Sequence, residues 1–148
     1  MRVHLTQSSP SFAPLGTGYL LGTEGDGVIG VCFESVGRVK VREIADPTLE
    51  SPGDAIVKVS VAGLCGSDLH PFFGREVGLD PGPVMGHEFI GEVVATGGDV
   101  QRISVGTRVC APFTTNCGHC YYCNSGLTSR CVSGQLFGWR QNGTGLHG

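Results

Sequence analysis

Short stretches in which apolar and polar residues alternate dominate the chain from residue 28 onward. The clearest is "DAIVKVSVAG" (54–63), where Val57, Val59 and Val61 share one face and polar residues share the other. A period of two predicts a β-strand with one buried face. Four further stretches are predicted to be strands: "VIGVCF" (28–33), "RVKVREI" (38–44), "EFIGEVVATG" (88–97) and "TRVCAPF" (107–113).

The pattern predicts a mainly β domain. Glycine or proline interrupts nearly every candidate helix, and the turn "ESVG" (34–37) joins the first two strands. Short strands at this spacing are typical of a small barrel or sandwich. The 25 glycines among 148 residues suit a turn-rich β structure, and this length is sufficient for one domain.

Residues 1–27 differ from the rest, because they are rich in serine, proline and glycine and show no period. They are predicted to form a flexible N-terminal extension. They lack the apolar core of a secretory signal, which favours a cytoplasmic protein. Because no acidic residue precedes Glu24, an organelle transit peptide, for example a mitochondrial one, is the alternative.

Charge and hydropathy exclude several classes of partner. The net charge is −3 with no run of like charges, so no nucleic acid or anionic membrane surface is expected to bind. The longest apolar stretches are shorter than the roughly 20 residues that span a bilayer. The composition is that of a soluble globular domain.

Four of the seven cysteines fall within "NCGHCYYCNSGLTSRC" (116–131), at Cys117, Cys120, Cys123 and Cys131. Turns of the CxxC type bring two sulfurs within reach of one ion, and four thiolates around zinc leave no open position. The spacing predicts a structural zinc site, its negative charge offset by Arg130 and backbone N–H groups. An iron–sulfur cluster has similar spacings, and disulfides are disfavoured in a reducing compartment.

A second candidate site combines "GLCGSDLH" (63–70) with "GHE" (86–88). Taken alone, Cys65 and His87 would more often be buried core residues. Here Cys65 directly follows a predicted strand, while His87 and Glu88 open the next one, and such strand ends commonly carry functional residues. A thiolate and an imidazole are good ligands for a catalytic zinc, which takes three protein ligands and a water.

Three polar residues accompany these candidate ligands. Ser67 could place a hydroxyl beside the metal-bound water. Asp68 could accept the ring N–H of His87 and orient it. His70 could pass a proton to solvent.

Together these motifs resemble the catalytic domain of zinc-dependent medium-chain alcohol dehydrogenases. The resemblance rests on "VAGLCGSDLH", "VMGHEFIGEVV" and the CxxCxxCx7C segment, and it extends from about Val28 to the end. "HPFFGRE", "GLTSRC" and "GQLFGW" are most similar to the polyol, threonine and formaldehyde dehydrogenase branches. The family fold implies a partly open, GroES-like β-barrel over residues 28–148, with a zinc lobe at 110–135.

The resemblance also implies a role for each candidate residue. Cys65 and His87 would bind the catalytic zinc, with the acidic Glu88 beneath it and able to approach the metal. Ser67 and His70 would form the proton relay, and Asp68 would be the hydrogen-bonding partner of His87. The structural zinc would be held by Cys117, Cys120, Cys123 and Cys131. The reaction implied is the NAD- or NADP-linked interconversion of small alcohols with aldehydes or ketones, by enzymes that are commonly homo-oligomers.

Two parts of such an enzyme are missing from the chain. The third catalytic ligand, a cysteine or acidic residue in the family, is expected farther downstream, and no strand–GxGxxG–helix unit of a Rossmann domain occurs. The chain is therefore expected to be the catalytic-domain portion, incomplete at its C-terminus and inactive alone. Apolar surface left without its cofactor domain predicts marginal stability or association. The alternative is a non-catalytic, zinc-binding fragment or isoform.

Overall fold

The computed structural model describes residues 3–6, 28–141 and 144–145. Its strands there are β1 (Val3–Thr6), β2 (Val28–Ser35), β3 (Arg38–Ile44), β4 (Ala55–Gly63), β5 (Glu88–Thr96), β6 (Arg108–Ala111), β7 (Arg140–Gln141) and β8 (Thr144–Gly145). The helices of the described residues are the single turns α1 (Leu69–Phe72) and α2 (Tyr121–Asn124), with 3₁₀ turns at Gly66–Asp68 and Thr128–Arg130. The predicted mainly β fold is confirmed, and its alternating stretches correspond to β2 through β6.

The principal sheet has four strands in the order β1–β4–β5–β6. β4 and β5 are antiparallel and pair from Ala55 opposite Thr96 to Gly63 opposite Glu88. β2 and β3 form a separate antiparallel pair, whose turn contains Gly37 at a φ of 73°. The sheets do not close on one another, in keeping with the partly open barrel that the family resemblance implied. None of the helices in the described ranges is both long and apolar enough to cross a bilayer.

β1 was not anticipated, because residues 1–27 were interpreted as a flexible extension. Val3–Thr6 pairs in parallel with β4, from Val3 opposite Ala55 to Thr6 opposite Lys58. A parallel pairing with a partner some fifty residues away leaves no local signal, since it depends on a long crossover. Residues 7–27 lie outside the described residues, so flexibility there stays a prediction.

The alternation of β4 does not continue to the end of the strand. Val57 and Val59 are 1% and 8% exposed, whereas Val61 is 65% exposed. The register with β5 shifts between Val59 and Val61, and a bulge turns the side chains that follow it toward the other face. The prediction that Val61 shares the buried face was therefore wrong.

The core lies on one face of the principal sheet. Its buried members are Ala55, Val57, Val59, Phe89, Val93 and Phe137. Phe137 comes from beyond the cysteine-rich segment and packs edge-on against Phe89, with ring centroids 5.7 Å apart. This contact anchors the far side of the cysteine-rich lobe (residues 110–135) to the sheet.

A second set of contacts fixes the segment that leads into β5. The N–H of Met85 donates to Val31 at 2.7 Å, and the N–H of Phe33 donates to Pro83 at 3.0 Å. Residues 82–85 therefore run along β2 like an additional strand. His87 lies two residues beyond this segment and immediately before β5. The contacts with β2 therefore help to fix the position of the histidine.

Replacing Gly97 with alanine is expected to destabilise the fold strongly. A Cβ there would overlap the carbonyl oxygen of Pro52, so the backbone must move at a cost of about 1–3 kcal/mol or more. Gly98→Ala is the matched control, since a Cβ there meets nothing within 4 Å. Urea denaturation should show a much lower midpoint for Gly97→Ala alone; equal midpoints would contradict the close approach.

Candidate metal centres

The ends of β4 and β5 bring three potential metal ligands together. Cys65 follows β4 by two residues, His87 immediately precedes β5, and Glu88 is its first residue. One ligand atom from each lies within 4.8 Å of the others. Two ligands of a single zinc ion, at about 2.0–2.3 Å from the metal, are separated by at most roughly 4.6 Å. We call these three residues the open cluster.

Asp68 ties the two halves of the open cluster together. One carboxylate oxygen accepts the N–H of Cys65 at 2.9 Å, and the other accepts the N–H of Gly86 at 3.1 Å. The second oxygen also lies 3.2 Å from Nδ1 of His87. Asp68 and His87 are both buried, at 7% and 6% exposure. A single carboxylate thus fixes the backbone on both sides of the cluster as well as the imidazole ring.

The remaining contacts of His87 face the cluster. With its Nδ1–H directed at Asp68, the ring presents the Nε2 lone pair on its opposite side, as a metal ligand requires. The hydroxyl of Ser67 lies 3.2 Å from that Nε2. The backbone N–H of Ser67, followed by its hydroxyl, lowers the pKa of the Cys65 thiol and favours the thiolate that binds metal.

The structure places the other predicted relay residue apart from the cluster. His70 is half-buried in α1, with Nδ1 3.6 Å from a carboxylate oxygen of Glu76. Within the described part of the chain it makes no hydrogen bond to Ser67 or His87. Phe113, which the sequence analysis did not single out, lies edge-on to His87 with ring centroids 6.0 Å apart. The contact could not be predicted from the position of Phe113 just after β6, because only the tertiary fold brings it beside His87.

The second centre consists of Cys117, Cys120, Cys123 and Cys131, whose sulfurs all lie within 4.8 Å of one another. We call these four residues the cysteine cluster. Cys117 and Cys123 have sulfurs 4.0 Å apart, close to the ~3.8 Å that a tetrahedron with 2.3 Å Zn–S bonds gives. All four thiols are free, and a disulfide would require sulfurs about 2.05 Å apart. The donor set and its spacing fit zinc.

Backbone N–H groups point at the sulfurs, as the sequence analysis proposed. Cys131 accepts from Cys117 at 3.2 Å and from Ser133 at 3.4 Å, and Cys117 accepts from Cys120 at 3.3 Å. These bonds stabilise negative charge on sulfur before any metal is bound. The N–H of His119 is the main cause of the lowered pKa of Cys117.

Cys120 and Cys123 differ sharply in acidity. The N–H of Cys123, followed by that of Val132, lowers the pKa of Cys120 to about 6, while desolvation raises the pKa of Cys123 to about 11. In the reduced, zinc-free chain at pH 7, Cys120 should thus be mainly thiolate and Cys123 mainly protonated.

This difference predicts selective alkylation. A brief iodoacetamide pulse at pH 7 should modify Cys120 before Cys123 in zinc-free protein, and added zinc should protect both. Peptide mass spectrometry measures the order. Equal rates for the two thiols without zinc would contradict the assigned hydrogen bonds.

A cavity of about 680 Å³ lies between the principal sheet and the cysteine-rich lobe. Val57, Phe89 and Phe137 contribute to its apolar lining, while Arg102 and His119 contribute to its polar lining. None of the three open-cluster residues lines it. The cavity therefore lies apart from the open cluster, although Cys117 of the cysteine cluster lines it.

Comparison with known proteins finds a family that covers most of the chain. Residues 51–148 match the family model described as the alcohol dehydrogenase GroES-like domain. The chain is 51% identical over 108 residues to a medium chain reductase/dehydrogenase, ucsI, of Acremonium sp, covering 73% of this chain and 37% of that protein. It is 48% identical over 108 residues to zinc-type alcohol dehydrogenase B of Aspergillus flavus, with 73% and 25% coverage. The chain thus spans between a quarter and somewhat over a third of these relatives.

Solved structures show the same partial coverage. The alcohol dehydrogenase TADH from Thermus sp. ATN1 superposes with a TM-score of 0.73 at 40% identity, over 82% of this chain and 35% of that one. A short chain alcohol dehydrogenase of Escherichia coli CFT073 in complex with NADH gives a TM-score of 0.62 at 33% identity, with 81% and 34% coverage. Both proteins extend well beyond the part that is similar to this chain.

Proposed function

Since the chain belongs to the alcohol dehydrogenase family with a GroES-like domain, we propose that it is the metal-binding portion of a zinc-dependent oxidoreductase. That enzyme interconverts small alcohols with aldehydes or ketones, using NAD or NADP. The observation that carries the proposal is the meeting of Cys65, His87 and Glu88 at the ends of two paired strands, with Asp68 holding both sides.

Each residue of the open cluster has a defined task in this proposal. Cys65 and His87 hold a zinc ion, and the exposed carboxylate of Glu88 can approach it. Bound zinc supplies Lewis-acid chemistry at the oxygen of the substrate. Asp68 keeps the Nε2 lone pair of His87 directed into the cluster. The hydroxyl of Ser67 accepts the substrate proton as it passes its own onward. His70, which makes no hydrogen bond to Ser67 within the described residues, is the outer relay member once groups of the complete enzyme link the two.

The remaining parts of the enzyme lie outside the described residues. The nicotinamide cofactor, which a related structure holds as NADH, would be bound by a nucleotide-binding domain that follows in the longer relatives. A third zinc ligand, cysteine or acidic, would come from the same region. Homo-oligomeric assembly and a cytoplasmic location, where the free thiols stay reduced, complete the proposal.

The experiment compares two proteins: the 148-residue chain, and the same sequence joined to the nucleotide-binding region of a relative. Alcohol-dependent NAD(P)H formation at 340 nm is expected only from the longer protein. Cys65→Ser in that protein should abolish turnover, while the exposed Cys110→Ser should not. Turnover that survives Cys65→Ser would exclude the open cluster as the catalytic site.

One observation favours a second candidate function, a zinc-binding module without catalysis. The cysteine cluster offers four cysteine ligands within the described residues, whereas the open cluster offers Cys65, His87 and Glu88, of which only the first two are ligands in the proposal above. If the longer protein binds two zinc ions yet reduces no NAD(P) with any primary, secondary or polyol substrate, this alternative replaces the enzyme.

A further inference from the structure

The cysteine-rich lobe has little charge of its own with which to balance a metal-loaded cluster. Four thiolates around Zn²⁺ carry a net charge of −2. Between residues 116 and 134, Arg130 is the only charged side chain apart from the cysteines and a histidine. It is exposed and makes no ion pair within the described residues.

Arg102 approaches this lobe from outside it. It lies on the loop between β5 and β6, and its Nη1 is 3.8 Å from the position that a Cβ would take on Gly118. Gly118 has a φ of 75° and lies in the tight turn from Cys117 to Cys120. Arg102 therefore rests against the turn that presents the first two sulfurs.

Two further observations indicate that this position is more than incidental. Arg102, Cys117 and Gly118 line the same cavity, so the guanidinium and the turn share one partly enclosed volume. Arg102 also has no salt bridge or side-chain hydrogen bond to any other described residue. Arg102 is exposed and its charge is not engaged by another described side chain, while a negatively charged centre would form at the turn that it contacts.

We propose that Arg102 is the cationic partner of the cysteine cluster, stabilising the zinc-loaded tetrathiolate from the β5–β6 loop. The inference rests on the cysteine cluster holding zinc, as proposed above. Arg102 acts as a positioning and charge-balancing residue and not as a ligand, because a guanidinium stays protonated and offers no lone pair. Arg102 would thus add to the site a residue of the β5–β6 loop, which lies outside the cysteine-rich lobe.

The test measures zinc affinity in the 148-residue chain carrying Cys65→Ser, which leaves the cysteine cluster as the complete site. Competition with a chromogenic chelator gives the dissociation constant for zinc. At low salt, Arg102→Gln is expected to raise it about two- to fivefold, as for an exposed charge pair. Arg102→Lys should restore most of the affinity. Arg38→Gln, which removes an exposed arginine from the other sheet, should leave it unchanged.

The salt dependence of the zinc affinity distinguishes a charge effect of Arg102 from a packing effect. In 1 M NaCl, where the Debye length falls to about 3 Å, the difference between Arg102→Gln and the unsubstituted protein should nearly vanish. Equal affinities of Arg102→Gln and Arg38→Gln at low salt would overturn the proposal, and so would failure of Arg102→Lys to rescue. Loss of zinc binding from every variant and from the starting protein would instead refute the zinc site itself.

Discussion

Replacing Cys131 with alanine is expected to remove one zinc ion per chain and to unfold the cysteine-rich lobe. Cys131 lies in the cysteine cluster, and its sulfur also accepts the N–H groups of Cys117 and Ser133. The lobe has only single-turn helices and no buried core of its own. Structural zinc contributes about 10–16 kcal/mol in zinc-finger peptides, so its loss should dominate the stability of this segment. Metal analysis and limited proteolysis within 116–134 measure the two effects.

The chain supplies a matched control in Cys110. This cysteine is exposed on β6 and belongs to neither metal centre, so Cys110→Ala should keep both the zinc content and the resistance to protease. Removing zinc from the unsubstituted protein with a chelator should reproduce the Cys131→Ala pattern. A variant that loses zinc yet keeps the lobe resistant would mean that backbone hydrogen bonds alone maintain it.

Replacing Asp68 with asparagine is expected to weaken metal binding at the open cluster by about 10- to 100-fold. The carboxylate of Asp68 accepts from three donors: the N–H of Cys65, the N–H of Gly86 and Nδ1 of His87. An amide has a single acceptor oxygen, and its NH₂ would face a donor. At least one buried N–H would lose its partner, and the His87 ring would lose the group that sets its tautomer.

Titration with Co²⁺ measures this effect, because a site with one sulfur ligand and a site with four have distinct absorption spectra. The open cluster should lose affinity in Asp68→Asn while the cysteine cluster fills normally. Asp46→Asn, at an exposed aspartate, should change neither site. Equal weakening of both sites would point to general unfolding and contradict the specific role of Asp68.

Much of this structure could be predicted from local patterns. Alternating residues identified the strands from Val28 to Ala111, since a half-buried strand needs a period of two, although both faces of β3 prove to be exposed. The cysteine cluster was equally accessible, because its four ligands lie within sixteen residues. The open cluster required more, because Cys65 and His87 are weak signals alone and gained weight from their positions at predicted strand ends and from the family resemblance.

What the sequence did not predict depends on long-range geometry. The pairing of Val3–Thr6 with β4 and the bulge that exposes Val61 both depend on the partner strand. Phe113 beside His87 and Arg102 beside Gly118 are contacts between segments with no shared motif. Alternation reports which face a residue takes within its own strand, and it says nothing about which distant segment covers that face.

Gly63 and Glu88 form the last pair of the β4–β5 ladder, and this pair limits where the chain can vary in length. The 24 residues between them form a closed loop whose two ends are pinned by the ladder and by Asp68. Lengthening such a loop costs little, about 0.6 kcal/mol for each doubling. The exposed stretch around Val77 can therefore accept inserted residues while Cys65 and His87 keep their separation. The end of the ladder, together with Asp68, fixes the separation of Cys65 and His87, and only the exposed stretch around Val77 can vary in length.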